Sequence, residues 1–196
     1  MPIEFPISEF VKAFFAIFVA MDAFGNLPIL FTLTRKLSDK ERSRNVDYAV
    51  LIAAALLLVF LFFGTKTLRF FGISFESFKI AGGIVLLIFG LKIVLGLSLR
   101  ENGIKKYEVA AVPLATPLIT GPAVITVIIL LVSQFGYMLT LIASVLNLII
   151  TWIVLRQTHF LFRIFGRQGS DVIARVMGLI LTALAIEFIK QGWISL

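Results

Sequence analysis

The stretch DAFGNLP, residues 22–28, interrupts a hydrophobic run and decides how the rest of the chain is interpreted. Gly and Pro inside such a run break its helix and leave backbone N–H and C=O groups unpaired. Lipid cannot satisfy these groups, so the break must be buried in protein or line a wet cavity. A second break, PLITGP at residues 117–122, places Gly121 96 positions after Gly25 in a chain of 196 residues. Two matched breaks in two halves are the sequence sign of a transporter's binding site.

The composition is that of a membrane protein. Hydrophobic residues make up 60% of the chain and charged residues 15%, whereas soluble domains average about 45–50% apolar residues. We therefore expect one compact transmembrane unit surrounded by the lipid bilayer. The formal charge of +7 comes from basic residues in short loops, which set membrane orientation and do not indicate nucleic-acid binding. The chain has no Cys and one His, His159, so disulfides, thiol catalysis and His-cluster metal sites are excluded, and no cofactor is expected.

Six apolar segments are long enough, or nearly so, to cross a bilayer as helices. They cover residues 10–33, 48–63, 78–97, 109–132, 137–155 and 172–189. The first and the fourth contain the two breaks, so we predict that these two spans are discontinuous. With the N-terminus outside, twelve Lys and Arg residues fall in inner loops and five in outer segments. This bias predicts a multi-pass protein with both termini outside. We expect its membrane to be a prokaryotic cytoplasmic membrane.

An internal repeat divides the chain in two. Residues 68–72, LRFFG, match residues 162–166, FRIFG, at an offset of 94, and Gly83 matches Gly178 at an offset of 95. Each half holds three spans, an odd number, so the halves must lie in opposite orientations about an axis in the membrane plane. The sequence therefore predicts an all-α membrane protein of two inverted three-helix repeats, residues 1–98 and 99–196. The alternative is chance similarity among apolar segments of low diversity.

Asp22 is the acidic residue deep in the first span. An ionised carboxylate at mid-membrane costs about 2.5–3.5 kcal/mol even on lenient insertion scales, so such a residue is a functional candidate by default. It can bind an ammonium group, a coupling proton or a cation. The structural alternative is that Asp22 caps N–H groups of the adjacent break. The two roles are compatible.

The two breaks can each end one half-helix and start another. The restarted helix presents unpaired N–H groups and a partial positive charge, which suit a carboxylate, while the ending helix offers carbonyls to an ammonium. We expect Gly25 and Asn26 in the first break, and Thr120 and Gly121 in the second, to hold the polar ends of a zwitterion. The alternative is a pair of proline kinks that serve packing only.

Other polar residues inside the spans have structural explanations. Ser144, Asn147 and Thr151 form a stripe on the fifth span, which is typical of hydrogen bonds between membrane helices and, as an alternative, of a cavity wall. Lys92 and Glu187 occupy corresponding places in the third and sixth spans, where we expect their charges to reach the interface rather than pair. His159 is predicted to lie in a loop.

At these residues the chain resembles the MarC family of membrane proteins, which includes small neutral amino acid transporters. The family hallmarks are an Asp-Pro-x-Gly-Asn-x-Pro stretch in the first span and Pro-Leu-x-x-Gly-Pro-Gly in the fourth, and the resemblance covers essentially the whole chain. Ala23 and Ala123 replace a common Pro and a common Gly. The first change softens the kink, and the second adds a methyl group near the expected pocket.

The resemblance implies a secondary transporter of small neutral amino acids of the glycine and alanine type, with a proton or sodium as candidate coupling ion. An exporter of amino acids or drugs, and a passive channel for small solutes, are the alternatives. A membrane-embedded enzyme would need a cluster of nucleophile, base or metal ligands, which the sequence does not offer. The sequence leaves the substrate, the coupling ion, the direction of transport and the oligomeric state open.

Overall fold

The structure is a computed structural model that describes residues 6–34, 37–96 and 119–195. Within these ranges every regular element is an α-helix. The helices are α1 (Ile7–Met21), α2 (Leu27–Thr34), α3 (Asp39–Phe70), α4 (Phe75–Val94), α5 (Pro122–Phe135), α6 (Tyr137–Arg156) and α7 (Thr158–Ile194).

Four of these helices, α3, α4, α6 and α7, are long and apolar enough to cross a membrane. The prediction of an all-helical, multi-pass membrane protein is therefore confirmed. The helices α1, α2 and α5 are shorter, because the first span is interrupted between Met21 and Leu27 and α5 begins only at Pro122. The first part of the predicted fourth span, residues 109–118, lies outside the described residues, so the count of six crossings stays a prediction.

The second predicted span is longer than its apolar core suggested. The helix α3 begins at Asp39 rather than at residue 48, because Ser38 and Glu41 form a capping box. The Ser38 N–H donates to Glu41 Oε2 at 2.9 Å, and the Glu41 N–H donates to Ser38 Oγ at 3.3 Å. Such a box satisfies two N–H groups at the helix start, so the polar turns before the membrane become helical.

The prediction that His159 lies in a loop was wrong. The helix α7 starts at Thr158 and is interrupted only at Gly166, whose backbone angles are φ 61° and ψ −172°. Gly72, which ends the matched motif in the first half, also has a positive φ, 67°. Only Gly adopts such angles without steric cost, so both copies of the motif use their Gly to end a helical segment.

The helices α4 and α7 pack antiparallel through glycines. A Cβ on Gly83 would lie 2.8 Å from the carbonyl oxygen of Ala185 in α7. A Cβ on Gly178 would lie 3.1 Å from the carbonyl oxygen of Gly90 in α4. The two backbones therefore approach closely at both points, which membrane helices achieve by placing small residues in the interface.

The helix α5 lies in the centre of the molecule. From Ala123 to Val132 every residue except Ile125 is buried, and a helix that is apolar on all sides is expected to be enclosed by protein. Its side chains share one core cluster with Ile17 of α1, Leu57 of α3 and Ala143 of α6. The two breaks lie at the edges of this core.

Candidate functional site

The first break is a compact turn between α1 and α2. Asp22 ends α1 in the left-handed conformation, with φ 41° and ψ 53°, and donates its N–H to the Phe18 carbonyl at 3.2 Å. It is the one non-Gly residue of positive φ among the described residues, and such a conformation is uncommon for a residue with a side chain. Strained backbone of this kind is found at functional sites when the surrounding structure enforces it.

The Asp22 side chain closes this turn. Its Oδ1 accepts the Gly25 N–H at 3.1 Å, so the capping role considered for Asp22 is present. The N–H groups of Asn26 and Leu27 donate to the carbonyls of Asp22 and Phe24 at 3.1 and 3.2 Å. These N–H groups therefore have partners inside the break, which differs from the expectation that they would be open to a ligand.

Gly25 is required at its position by the Asp22 carboxylate. A Cβ added to Gly25 would overlap Asp22 Oδ2 and would lie 2.6 Å from Asp22 Cγ. Asn26 fixes the turn from the other side, since its side-chain amide donates to the Met21 carbonyl at 3.2 Å. The structure thus brings Asp22, Gly25 and Asn26 together as one unit.

The second break starts α5. Gly121 is the N-cap residue, in an extended conformation, and Pro122 is the first helical residue, as the sequence predicted for a restarted helix. The buried Thr120 donates its hydroxyl to the Ala53 carbonyl of α3 at 3.1 Å. No side chain of the described residues caps this helix start. The first N–H groups of a helix have no partner within the helix, so the start of α5 offers donors and a partial positive charge.

Each break packs against the middle span of the other half. Ala23 and Leu27 of the first break form a buried cluster with Val154 of α6. Thr120 of the second break is bonded to α3. Met21 and Ile119, which adjoin the two breaks, belong to the same core cluster. The breaks therefore flank one shared interior.

The polar stripe of α6 runs along α1 towards the first break. Asn147 donates its amide to the Phe14 carbonyl of α1 at 3.1 Å, and Thr151 lies 3.6 Å from the Met21 sulfur. The hydrogen bonding between helices that we expected of this stripe is thus present. Within the part of the chain that the structure describes, the buried Asn147 Oδ1 also has no hydrogen-bond partner, and such an unpaired acceptor calls for an explanation. Sequence reasoning gave Asn147 no special place in the stripe, because spacing alone does not reveal which atoms stay unpaired.

Aromatic rings cover the side of the first break where α2 meets α7. Phe31 of α2 stacks on Phe162, with ring centroids 4.2 Å apart, and contacts the His159 ring at 4.8 Å. Phe24 of the break meets Phe165 edge-on at 6.4 Å. We call Phe24, Phe31, His159, Phe162 and Phe165 the aromatic cluster. These rings join the first break and α2 to α7.

Lys92 and Glu187 do not meet each other. Both are exposed, and Glu187 pairs with Lys190 of its own helix at 3.5 Å. Across residues 6–34, 37–96 and 119–195, no group of three His, Cys, Asp or Glu side chains is placed to hold a metal ion. The chemistry of the site is therefore that of one carboxylate, amides, hydroxyls and backbone dipoles.

The described residues form an all-helical, multi-pass architecture whose first span is interrupted, and this places the protein among the integral membrane proteins. The sequence model of the MarC family of integral membrane proteins matches residues 7–196. The chain is 37% identical over 197 residues to a UPF0056 membrane protein of Archaeoglobus fulgidus, covering 95% of this chain and 92% of the relative. A UPF0056 membrane protein of Methanocaldococcus jannaschii is 38% identical over 194 residues, with 93% and 95% covered.

One of the bacterial relatives is a UPF0056 membrane protein of Buchnera aphidicola, 32% identical over 201 residues with 96% and 93% covered. No solved structure matches the chain. The chain belongs to the MarC family, as the two hallmark stretches predicted.

Proposed function

We propose that this protein is a secondary transporter of small neutral amino acids, built from two inverted three-helix repeats that rock against each other. The observation that carries the proposal is the Asp22 turn that interrupts the first span, together with the start of α5 at Pro122, where no side chain of the described residues caps the helix. Discontinuous helices at a repeat interface are the usual substrate sites of such transporters.

The packing of α4 on α7 supports the inverted repeat. Gly83 and Gly178 are equivalent in the repeat, and so, at the same offset of 95, are Gly90 and Ala185. Gly83 approaches Ala185, and Gly178 approaches Gly90. Exchanging each residue for its equivalent turns one contact into the other, which is what a two-fold axis between the repeats requires.

The donors and acceptors at the breaks suit the two ends of an amino acid. The start of α5 offers N–H groups for the substrate carboxylate. Asp22 provides a negative charge for the ammonium group or for a coupling proton. The Thr120 hydroxyl already donates to Ala53, so its oxygen is left to accept a bond from the ammonium. Asn26 stabilises the turn of the first break through its side-chain amide. Gly25 and Gly121 have no side chain, so a small ligand can approach the backbone there.

The aromatic cluster forms a barrier that opens when the two halves rock against each other. Phe31 and Phe162 stack between α2 of the first half and α7 of the second. Such a contact separates when the halves move. In this arrangement the protein is closed at the aromatic cluster.

The test is uptake of labelled glycine and alanine into vesicles that contain the purified protein, with counterflow from preloaded vesicles. Asp22→Asn keeps an oxygen for the Gly25 N–H but removes the charge, so we expect a folded protein without coupled uptake. Asp171→Asn, at an exposed acid far from the breaks in sequence, is the matched control and should transport normally. Full activity of Asp22→Asn would remove Asp22 from the mechanism.

Counterflow also separates the proposal from a passive channel. A transporter saturates with substrate and exchanges internal for external substrate, whereas a pore does neither. Glycine and alanine flux that rises linearly with concentration and shows no counterflow would favour the channel. Saturable flux of hydrophobic drugs alone would favour the export alternative.

A further inference from the structure

The outer surface of the protein carries an apolar groove between α3 and α6. It has a volume of about 280 Å³ and is open along one side. Val50, Ala54 and Leu57 form one wall, and Val145, Ile149 and Trp152 form the other. From Val50 to Leu58 the groove follows α3 for about 12 Å, at the usual rise of 1.5 Å per helical residue. Leu58, Val145 and Ile149 remain 39%, 44% and 47% exposed.

One end of the groove carries opposite charges. Asp47 Oδ1 accepts from Trp152 Nε1 at 2.7 Å and from Arg156 Nη1 at 3.4 Å. The guanidinium of Arg156 also lies over the Trp152 ring, 5.0 Å from its centroid. Asp47 and Arg156 are 46% and 43% exposed, so each can reach a second partner. The remaining wall is hydrocarbon.

We propose that this groove binds a phospholipid with an ethanolamine-type headgroup. An acyl chain lies between α3 and α6, the phosphate contacts Arg156, and the primary ammonium contacts Asp47. The polarity fits, because a chain of hydrocarbon needs an apolar channel and a zwitterionic headgroup needs one acid and one base at its mouth. Arginine binds phosphate well, since its planar fork presents several N–H donors. Trp152 sits where amphipathic rings are favoured, between hydrocarbon and headgroups.

The position of the groove gives the lipid a structural consequence. Its wall residues form three pairs that are each 95 positions apart, Val50 with Val145, Ala54 with Ile149, and Leu57 with Trp152. The groove therefore lies where the two halves meet, and a bound acyl chain contacts both. The headgroup residues do not follow this symmetry, because the position 95 before Arg156 is Leu61. The lipid thus enters in one orientation.

Tryptophan fluorescence tests this proposal directly, because the chain has two Trp residues. Trp193→Phe leaves Trp152 as the reporter in the groove, and Trp152→Phe leaves Trp193, which is 74% exposed, as the reporter of bulk lipid. Each protein is placed in vesicles in which either the phosphatidylethanolamine or the phosphatidylcholine carries brominated acyl chains, which quench Trp on contact. We expect about a fivefold preference of Trp152 for phosphatidylethanolamine, because its primary ammonium donates a hydrogen bond to Asp47 that the quaternary ammonium of phosphatidylcholine cannot donate; this ratio corresponds to about 1 kcal/mol, the typical net value of one hydrogen bond. Trp193 should show no preference.

Two variants assign the headgroup contacts. Asp47→Asn still accepts from Trp152 but lacks the charge, so the fivefold preference should fall to about one. Arg156→Gln should weaken quenching by both lipids equally, because both contain a phosphate. Equal quenching of Trp152 by the two lipids in the otherwise unchanged protein would overturn the proposal. A stronger response to brominated phosphatidylglycerol would overturn the headgroup assignment, and protection of Trp152 from every brominated lipid would show that a second copy of the chain covers the groove.

Discussion

Replacing Gly83 by Ala should destabilise the protein although Ala is the better helix former. An Ala in a helix interior gains about 1 kcal/mol over Gly. At Gly83 the new methyl would lie 2.6 Å from Ile189 Cγ1, 2.8 Å from the Ala185 oxygen and 3.1 Å from the Ile189 nitrogen. Two of these atoms are backbone, so the methyl fits only if α7 moves away from α4.

The size of the effect follows from those contacts. Overpacking in a tight interface costs about 1–3 kcal/mol. Because the methyl at Gly83 would meet backbone atoms, which cannot rotate away, we expect a cost at the upper end of this range. After the gain in helix propensity, the net loss is about 2 kcal/mol. For a chain of this length that corresponds to a fall in Tm of about 4–8 °C. The measurement is thermal unfolding of the purified protein in detergent, followed by circular dichroism.

Gly169→Ala is the matched control. A methyl there would meet only the Phe165 side chain of its own helix, at 3.2 Å, so it should keep most of the gain from helix propensity. In Gly178→Ala the new methyl would lie 2.9 Å from Ile93 Cγ2 and 3.1 Å from the Gly90 oxygen. The Tm of this variant should fall by about as much as that of Gly83→Ala. A Tm for Gly83→Ala as high as that of Gly169→Ala would refute the close packing of α4 on α7.

Further changes probe the other features. Gly166→Ala should lose about 1–3 kcal/mol of stability from its backbone angles alone, since open space surrounds it; a Tm equal to that of the unchanged protein would contradict the break in α7. Asn147→Ala should cost about 1–2 kcal/mol through its lost bond to Phe14, and an unchanged melting curve would argue against that contact. Phe31→Ala should speed efflux of preloaded alanine from vesicles, whereas Phe31→Leu, which keeps bulk, should do so less; equal rates in all three proteins would dismiss the aromatic cluster as a barrier.

The sequence predicted the interruption of the first span and the start of α5 because their cause is local. Gly25 and the prolines act on their own backbone, so α1 ends at Met21 and α5 begins at Pro122, close to where the pattern placed them. The ends of α3 and α7 were predicted less well, because apolar content marks the membrane core and says little about helical turns that continue into water. Ser38 and Glu41 carried the signal for the true start of α3, in the form of a capping box.

The partners of the polar side chains depend on packing that a single sequence does not encode visibly. Thr120 bonds to a carbonyl 67 residues earlier, and Asn147 to one 133 residues earlier. The sequence marked both as polar residues in apolar spans, but only the approach of α3 and α1 decides which atoms are used. The groove between α3 and α6 has the same origin, because its walls come from two distant segments whose residues look like ordinary lipid-facing positions.

The proposed symmetry makes its exceptions informative. Two inverted repeats supply the same scaffold to both membrane faces, so a residue with no counterpart of its kind has a task on one side only. The position 95 after Phe31 is Thr126, the position 95 before His159 is Gly64, and the position 95 before Asn147 is Ile52. The aromatic cluster and Asn147 therefore have no counterparts of their kind at the equivalent positions. A transporter needs such differences, because two identical gates would respond identically and give no distinction between the inside and the outside.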